Sequence, residues 1–211
     1  MLALYFSPGA CSMASHIGLE ESGAAYEERP TLLAKGEQKA DAYLKINPRG
    51  KVPALAVDDK VITENTAILT YIARQLPSKN LLPANPVDEA SCIATMAWLS
   101  NVVHPSYQRY FRPERFAEGD AAIAAVKETA RKSFWENLAE IDGMLKGKEW
   151  IMGSQFTVAD GYALVFYGWG VRAKLPMHEL ANYTEWKERM LKRPAVRKIL
   201  ESEKNVLVTP A

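Results

Sequence analysis

The hydrophobic pattern of this 211-residue chain changes at a proline-rich connector, and this change constrains the fold more than any other feature. In residues 1–77, short apolar runs typical of β-strands alternate with helical segments. Beyond the connector, helical periodicity dominates and strand signals nearly vanish. We therefore predict an α/β domain at residues 1–77, a linker at 78–86 and an all-helical domain at 87–211.

The first half is predicted to have the element order β-α-β-α-β-β-α, which gives a mixed sheet. Its strands are expected at residues 2–6, 26–29, 52–57 and 60–63, and its helices at 11–22, 37–45 and 65–75. The last two strands flank the polar pair Asp58-Asp59, as in a hairpin. Gly23 is placed to close the first helix in the left-handed conformation. The later helices are expected at roughly 87–110, 119–146, 157–171, 179–191 and 194–202.

Composition and charge exclude several classes of function. A formal net charge of +1, with no long Lys/Arg cluster, argues against a nucleic-acid partner. No apolar run approaches the roughly 18–20 residues that cross a membrane, and the N-terminus lacks the pattern of a signal peptide. The two cysteines, Cys11 and Cys92, cannot form a disulfide framework. We expect a cytoplasmic protein with reduced thiols.

Cys11 is the first candidate functional residue because it stands where the first helix is predicted to begin. Unpaired N–H groups and the helix dipole favour an anion there, so we expect a lowered thiol pKa. No second cysteine follows within reach, which excludes two-thiol redox chemistry inside this site. The alternative is a small, half-buried residue that merely opens a helix.

Lys51-Val52-Pro53 precedes the third predicted strand. A cis bond before Pro53 would turn the backbone N–H and C=O of Val52 outward to pair with an extended, peptide-like ligand. Since X–Pro bonds are cis in only about 5–6% of folded cases, an ordinary trans proline that opens a strand is the alternative.

A strand ends and a helix begins within the segment Thr63-Glu64-Asn65-Thr66-Ala67-Ile68. Backbone N–H groups at such a junction can bind a carboxylate. The alternative is plain capping of the helix without a ligand.

Two further features lie in the helical half. Thr157 and Asp160 have the spacing of a capping box, which we interpret as structural. His104 precedes Pro105, so the helix should kink or end there and could direct His104 into an interdomain cleft. A satisfied interface histidine is the alternative. The three histidines do not combine with the cysteines at metal-ligand spacing, and we predict no metal site.

Taken in order, these segments make the chain similar to the glutathione transferases, and in particular to their bacterial beta class. The resemblance covers essentially the whole chain. The segments that carry it are Ser7-Pro8-Gly9-Ala10-Cys11-Ser12, Ile46-Asn47-Pro48-Arg49-Gly50-Lys51-Val52-Pro53-Ala54-Leu55, Thr63-Glu64, His104 with Phe111-Arg112-Pro113, and Phe156-Thr157-Val158-Ala159-Asp160.

The resemblance implies a thioredoxin-like N-terminal domain with a mixed four-stranded sheet, an all-α C-terminal domain and a homodimer. It also implies glutathione as the co-substrate. Val52, before a cis Pro53, would pair with the cysteinyl backbone of glutathione, and Glu64 and Asn65 would hold its γ-glutamyl end.

The remaining glutathione contacts follow from the same resemblance. Lys35 and Lys51 would reach the glycine end, while Cys11, Ser12 and His104 would surround the sulfur. Because glutathione is an extended anion, it needs a strand edge, a helix N-terminus and cations, and all three are predicted here.

The chain departs from the beta-class pattern at three places. Phe6 replaces a common tyrosine, which shifts activation of the sulfur onto Cys11 and Ser12. Asn65 follows Glu64 where the family commonly has a small residue. The segment before His104 is short, and Pro105 replaces a typical lysine.

Three functions are compatible with these residues. The first is conjugation of the glutathione thiolate to small electrophiles, a detoxifying activity, with an electrophile pocket built from Tyr107, Phe111, Trp169 and Arg172. The second is a glutathione-dependent thiol-disulfide or dehalogenating reductase that uses Cys11 covalently. The third is a ligand-binding or interaction protein of the same fold without turnover.

Overall fold

The structure is a computed structural model that describes residues 1–208. Its N-terminal part contains β1 (Leu2–Phe6), α1 (Met13–Ser22), β2 (Tyr26–Pro30), α2 (Asp41–Leu44), β3 (Ala54–Val57), β4 (Lys60–Thr63) and α3 (Asn65–Gln75). The sheet order is β2-β1-β3-β4, with β1 parallel to β2 and antiparallel to β3. The predicted mixed four-stranded sheet and its closing hairpin are therefore confirmed.

The rest of the described chain is helical. It contains α4 (Pro86–Trp98), a π-helical turn (Leu99–Val103), α5 (His104–Phe111), α6 (Asp120–Leu145), α7 (Val158–Arg172), α8 (Ala181–Leu191) and α9 (Pro194–Ser202). Short 3₁₀ turns lie at Leu33–Lys35, Glu37–Lys39, Pro77–Lys79, Pro113–Arg115 and Met177–Glu179. No helix among residues 1–208 combines the length and apolar character needed to cross a membrane.

Two predicted helices differ from the structure. The first begins at Met13 rather than Cys11, because residues 7–12 form a loop that closes on its own backbone. The helix predicted at 37–45 is interrupted at Ala40, whose backbone is extended, so that a 3₁₀ turn and the four-residue α2 replace it.

The predicted disturbance before Pro105 is a π-helical turn rather than a helix end. Pro105 has no N–H to donate to the carbonyl four residues earlier, and the backbone widens at Leu99–Val103 before α5 continues to Phe111. The left-handed closure of α1 at Gly23 is confirmed, with φ 72°.

Helix α1 joins the two halves of the molecule. Its Leu19 belongs to an apolar cluster with the sheet, whereas Met13 and Ile17 belong to the larger core of the helical part. Gly161 of α7 lets the two helices approach, since a Cβ there would lie 3.2 Å from the Ile17 side chain. The loop before α1 is consequently held against α7.

The capping box at the start of α7 is present and has a larger role than predicted. The buried Asp160 carboxylate accepts hydrogen bonds from the N–H groups of Thr157 (2.8 Å) and Ile151 (2.8 Å) and from the Trp186 indole (3.0 Å). Burial raises the pKa of Asp160 to about 6, which leaves it ionised at neutral pH. One carboxylate therefore ties α7 to α8 and to the preceding turn.

We expect Asp160→Asn to lower the free energy of unfolding on the order of 3 kcal/mol, because buried donors lose their acceptor. Thermal melts followed by circular dichroism would measure this. Asp120→Asn is the matched control: the same change in the first turn of α6, at an exposed residue, should cost less than about 1 kcal/mol. Equal melting temperatures for the two variants would contradict the assignment.

Candidate functional site

The loop between β1 and α1 carries Cys11 and is closed by Ser12. The Ser12 hydroxyl accepts from the N–H of Ser7 (3.1 Å) and donates to the Ser7 carbonyl (3.2 Å). Ser12 is fully buried. Its hydroxyl, predicted to lie beside the glutathione sulfur, is thus engaged in shaping the loop.

Gly9, in the same loop, is held by the helical part of the molecule. Its carbonyl accepts from the Trp169 indole (3.1 Å) and the Arg172 guanidinium (3.0 Å). Its N–H donates to Glu203 (2.9 Å). The backbone has φ +71°, which favours glycine, and a Cβ would lie 2.1 Å from the Arg172 guanidinium and displace it from the Gly9 carbonyl.

Glu203 and His16 were missed by the sequence reasoning. The second Glu203 oxygen lies 2.9 Å from His16 Nδ1, and both side chains are inaccessible to solvent. Glu203 follows α9, and no local pattern could pair it with a residue 187 positions earlier. Glu203 therefore holds the segment that follows α9 against both α1 and the loop at residues 7–12.

The prediction of a lowered pKa for Cys11 is wrong. Cys11 is partly exposed, but burial of its sulfur raises the pKa of the thiol to about 12. The residue precedes the first turn of α1, so the helix N-terminus does not offset this desolvation. The thiol donates to the Val52 carbonyl at 3.6 Å.

The Val52–Pro53 bond is cis, the less common of the two geometries that the sequence left open. The preceding carbonyl, of Lys51, accepts from the Tyr43 hydroxyl (2.6 Å) and the Asn47 amide (2.7 Å). The segment that precedes β3 is thereby anchored to α2 and the turn after it. Val52 lies directly against Cys11.

The start of α3 brings another predicted site residue to Cys11. The Asn65 side-chain amide donates to the Cys11 carbonyl at 3.0 Å and is buried. Glu64 is exposed and has φ +71°, a conformation that is strained for a non-glycine residue and typical of functional sites. Among residues 1–208, no side chain caps α3, so its first N–H groups are open to an anion.

The two lysines that were predicted to reach the glycine end of glutathione define what we call the rim of the candidate site. Lys35 ends a 3₁₀ turn, and Lys35 and Lys51 are both exposed. The Lys51 ammonium is close enough to lower the pKa values of both Cys11 and His104, although burial outweighs it at Cys11. The charge of Lys51 therefore acts on both groups.

His104 lies beside a stack of three aromatic rings, those of Trp169, Tyr107 and Phe111. Its ring packs edge-on against Trp169 at 4.9 Å between centroids. Burial, and secondarily Lys51, lower the pKa of His104 to about 4, so the imidazole is neutral at physiological pH. Tyr107 stacks between Trp169 (4.3 Å) and Phe111 (5.6 Å).

The side chains predicted to form the electrophile wall differ in exposure. Phe111 is 59% exposed, whereas Tyr107 and Trp169 are each 6% exposed. Trp169 and Arg172 also bind the Gly9 carbonyl, a role that the sequence did not indicate. Within residues 1–208, no group of three or more His, Cys, Asp or Glu side chains could hold a metal ion.

Comparisons with known proteins agree with this geometry. Residues 2–74 match the family model "Glutathione S-transferase, N-terminal domain", and residues 95–194 match "Glutathione S-transferase, C-terminal domain". Glutathione S-transferase GstA from Escherichia coli O157:H7 is 35% identical over 207 residues, with 96% of this chain and 98% of that protein covered.

Solved structures give the same result. A glutathione transferase homologue from Sulfitobacter with bound glutathione superposes with a TM-score of 0.90 at 27% identity, covering 96% of this chain and 98% of that chain. A bacterial beta-class glutathione S-transferase from Sphingomonas chungbukensis has a TM-score of 0.85 at 36% identity, covering 95% and 98%. With both family domains matched in order and a close fold, this chain belongs to the glutathione S-transferase family.

Proposed function

We propose that this protein is a glutathione transferase that conjugates the glutathione thiolate to small electrophiles. The observation that carries the proposal is the convergence of Cys11, Val52 and the uncapped start of α3 beside a cationic rim. These are the groups needed for a thiol, an extended peptide backbone and a carboxylate. The glutathione bound in the similar Sulfitobacter protein supports the choice of ligand.

Glutathione would lie along the cleft from α3 to the lysines. Its α-carboxylate meets the first N–H groups of α3, and its ammonium meets the exposed Glu64 carboxylate. Val52 pairs with the cysteinyl backbone beside the cis Pro53. Lys35 and Lys51 supply positive charge to the glycine carboxylate.

The sulfur chemistry assigns Cys11 the role of a hydrogen-bond donor. A thiol with a pKa of about 12 stays protonated at neutral pH and is a poor nucleophile. It can instead transfer its hydrogen bond from the Val52 carbonyl to a thiolate. The neutral His104 adds a second donor, and such donors lower the pKa of the bound glutathione thiol. Ser12 acts indirectly, through the loop.

The wider assignments rest on the family and on composition. Residues 1–77 form the glutathione-binding domain, 78–86 the linker and 87–211 the domain that receives the electrophile. The enzyme is a beta-class homodimer with a detoxifying role in the cytoplasm, where unbridged cysteines such as Cys11 and Cys92 are stable. No metal takes part. Tyr107 and Phe111 receive the electrophile, next to Trp169 and Arg172.

We expect Cys11→Ala to keep conjugation of glutathione to a chloronitroaromatic within about tenfold of the wild-type rate, because only one donor is lost. Initial rates at saturating glutathione would measure this, with Cys11→Ser as the control that keeps a donor. A reductase would behave differently: conjugation would be absent from the wild type, and mass spectrometry would detect a glutathione adduct on Cys11.

We expect His104→Ala to lower kcat about tenfold and His104→Asn, which keeps an N–H donor, to lower it less. Because the pKa of His104 is depressed to about 4, its charge does not change near neutral pH. The wild-type pH profile of kcat/KM between about pH 6 and 8 should therefore match that of His104→Asn in shape. If the wild-type pH profile of kcat/KM has a rising or falling limb that is absent from the profile of His104→Asn, the imidazole titrates during catalysis.

A further inference from the structure

The side chain of Asn65 is committed to protein partners although it stands at the ligand-binding end of α3. Its amide nitrogen donates to the Cys11 carbonyl at 3.0 Å, and its amide oxygen accepts from the Ser15 hydroxyl at 2.7 Å. Asn65 is 4% exposed and Ser15 is inaccessible to solvent. Both polar atoms of the side chain are therefore already engaged within the protein.

We infer that Asn65 is a positioning residue. Its side chain fixes the position of Cys11 relative to the N-terminus of α3 and does not bind glutathione. This inference rests on the proposed function, because it concerns how the two ends of that glutathione site are kept in register. It replaces the expectation that the Asn65 side chain holds the γ-glutamyl end.

The hydrogen bonds show how the register is kept. The Cys11 carbonyl accepts from the N–H of Ala14 at 3.1 Å as well as from Asn65, so both of its acceptor positions are used. Asn65 is also the first residue of α3, and Ser15 lies in α1. One amide thus links the starts of two helices to the residue that carries the thiol.

The consequence for the reaction is geometric. The start of α3 receives the carboxylate of glutathione, while Cys11 faces its sulfur. If the link is lost, the carboxylate can still bind, but the sulfur no longer meets the Cys11 thiol, and the rate should fall by at most the roughly tenfold expected for Cys11→Ala.

Recognition of the carboxylate then falls to main-chain N–H groups of α3 and to Thr66. Thr66 is half-buried, and its main-chain carbonyl accepts a hydrogen bond from the Thr70 hydroxyl at 2.8 Å. Its own hydroxyl stands in the first turn of α3, where a carboxylate is favoured. Thr66 therefore provides a neighbouring variant with the opposite expected effect.

The test compares Asn65→Ala, Ser15→Ala and Thr66→Val with the wild type. Binding of S-methylglutathione is measured by calorimetry, and kcat for conjugation is measured at saturating glutathione. We expect Asn65→Ala to lower kcat about five- to tenfold while Kd changes less than about threefold, and Ser15→Ala to do the same more weakly. Thr66→Val should raise Kd about fivefold with kcat kept.

A second measurement needs no turnover. Hydrogen exchange of the peptide spanning residues 7–15 in the ligand-free protein should be faster in Asn65→Ala and Ser15→Ala than in Thr66→Val. If Asn65→Ala fails to fold, as judged by its melting temperature, Ser15→Ala carries both measurements, since its buried hydroxyl lies behind Asn65.

The inference is overturned if Asn65→Ala weakens S-methylglutathione binding tenfold with kcat unchanged, since the side chain would then be a ligand contact. It is also overturned if exchange of residues 7–15 is unaffected in both buried variants. Failure of the proposed function has a different signature: the wild type itself would neither bind S-methylglutathione nor conjugate glutathione, whatever the exchange rates.

Discussion

The hydrogen bonds that hold Gly9 are the interactions on which the loop at residues 7–12 depends. A six-residue loop made of one proline, one cysteine and four small residues has little to hold it in place by itself. Here the Gly9 carbonyl is bound by Trp169 and Arg172, and its N–H by Glu203. All three side chains come from the helical part of the molecule. The geometry of Cys11 is therefore a property of the packed pair of domains, not of the thioredoxin-like part.

Burial reverses the electrostatic character expected of this site. Cys11 has a raised pKa and His104 a lowered one, and desolvation is the largest cause of both shifts. Both groups are therefore neutral hydrogen-bond donors near pH 7. Such neutral donors can stabilise an anionic sulfur without adding a negative charge of their own. The exposed Lys51 supplies the positive charge at the rim.

Local features were predicted well because their causes lie within a few residues. The bounds of α3, the hairpin around Asp58-Asp59 and the left-handed Gly23 all follow from turn chemistry and short-range periodicity. The break at Ala40 and the late start of α1 were missed, since both depend on loops that close on their own backbone. The side chains of four predicted site residues, Ser12, Asn65, Trp169 and Arg172, form hydrogen bonds with distant parts of the protein, which local sequence patterns did not indicate.

The sequence by itself determined the order of strands and helices, the two-part architecture and the resemblance to a family, because periodicity, caps and motif spacing are local properties of the chain. Only the tertiary structure decided the protonation of Cys11 and His104 and the partners of Gly9 and Asn65. The physical reason is that desolvation and hydrogen bonding depend on which distant groups pack together. Gly9 and Glu203 are 194 residues apart, and no pattern along the chain relates them.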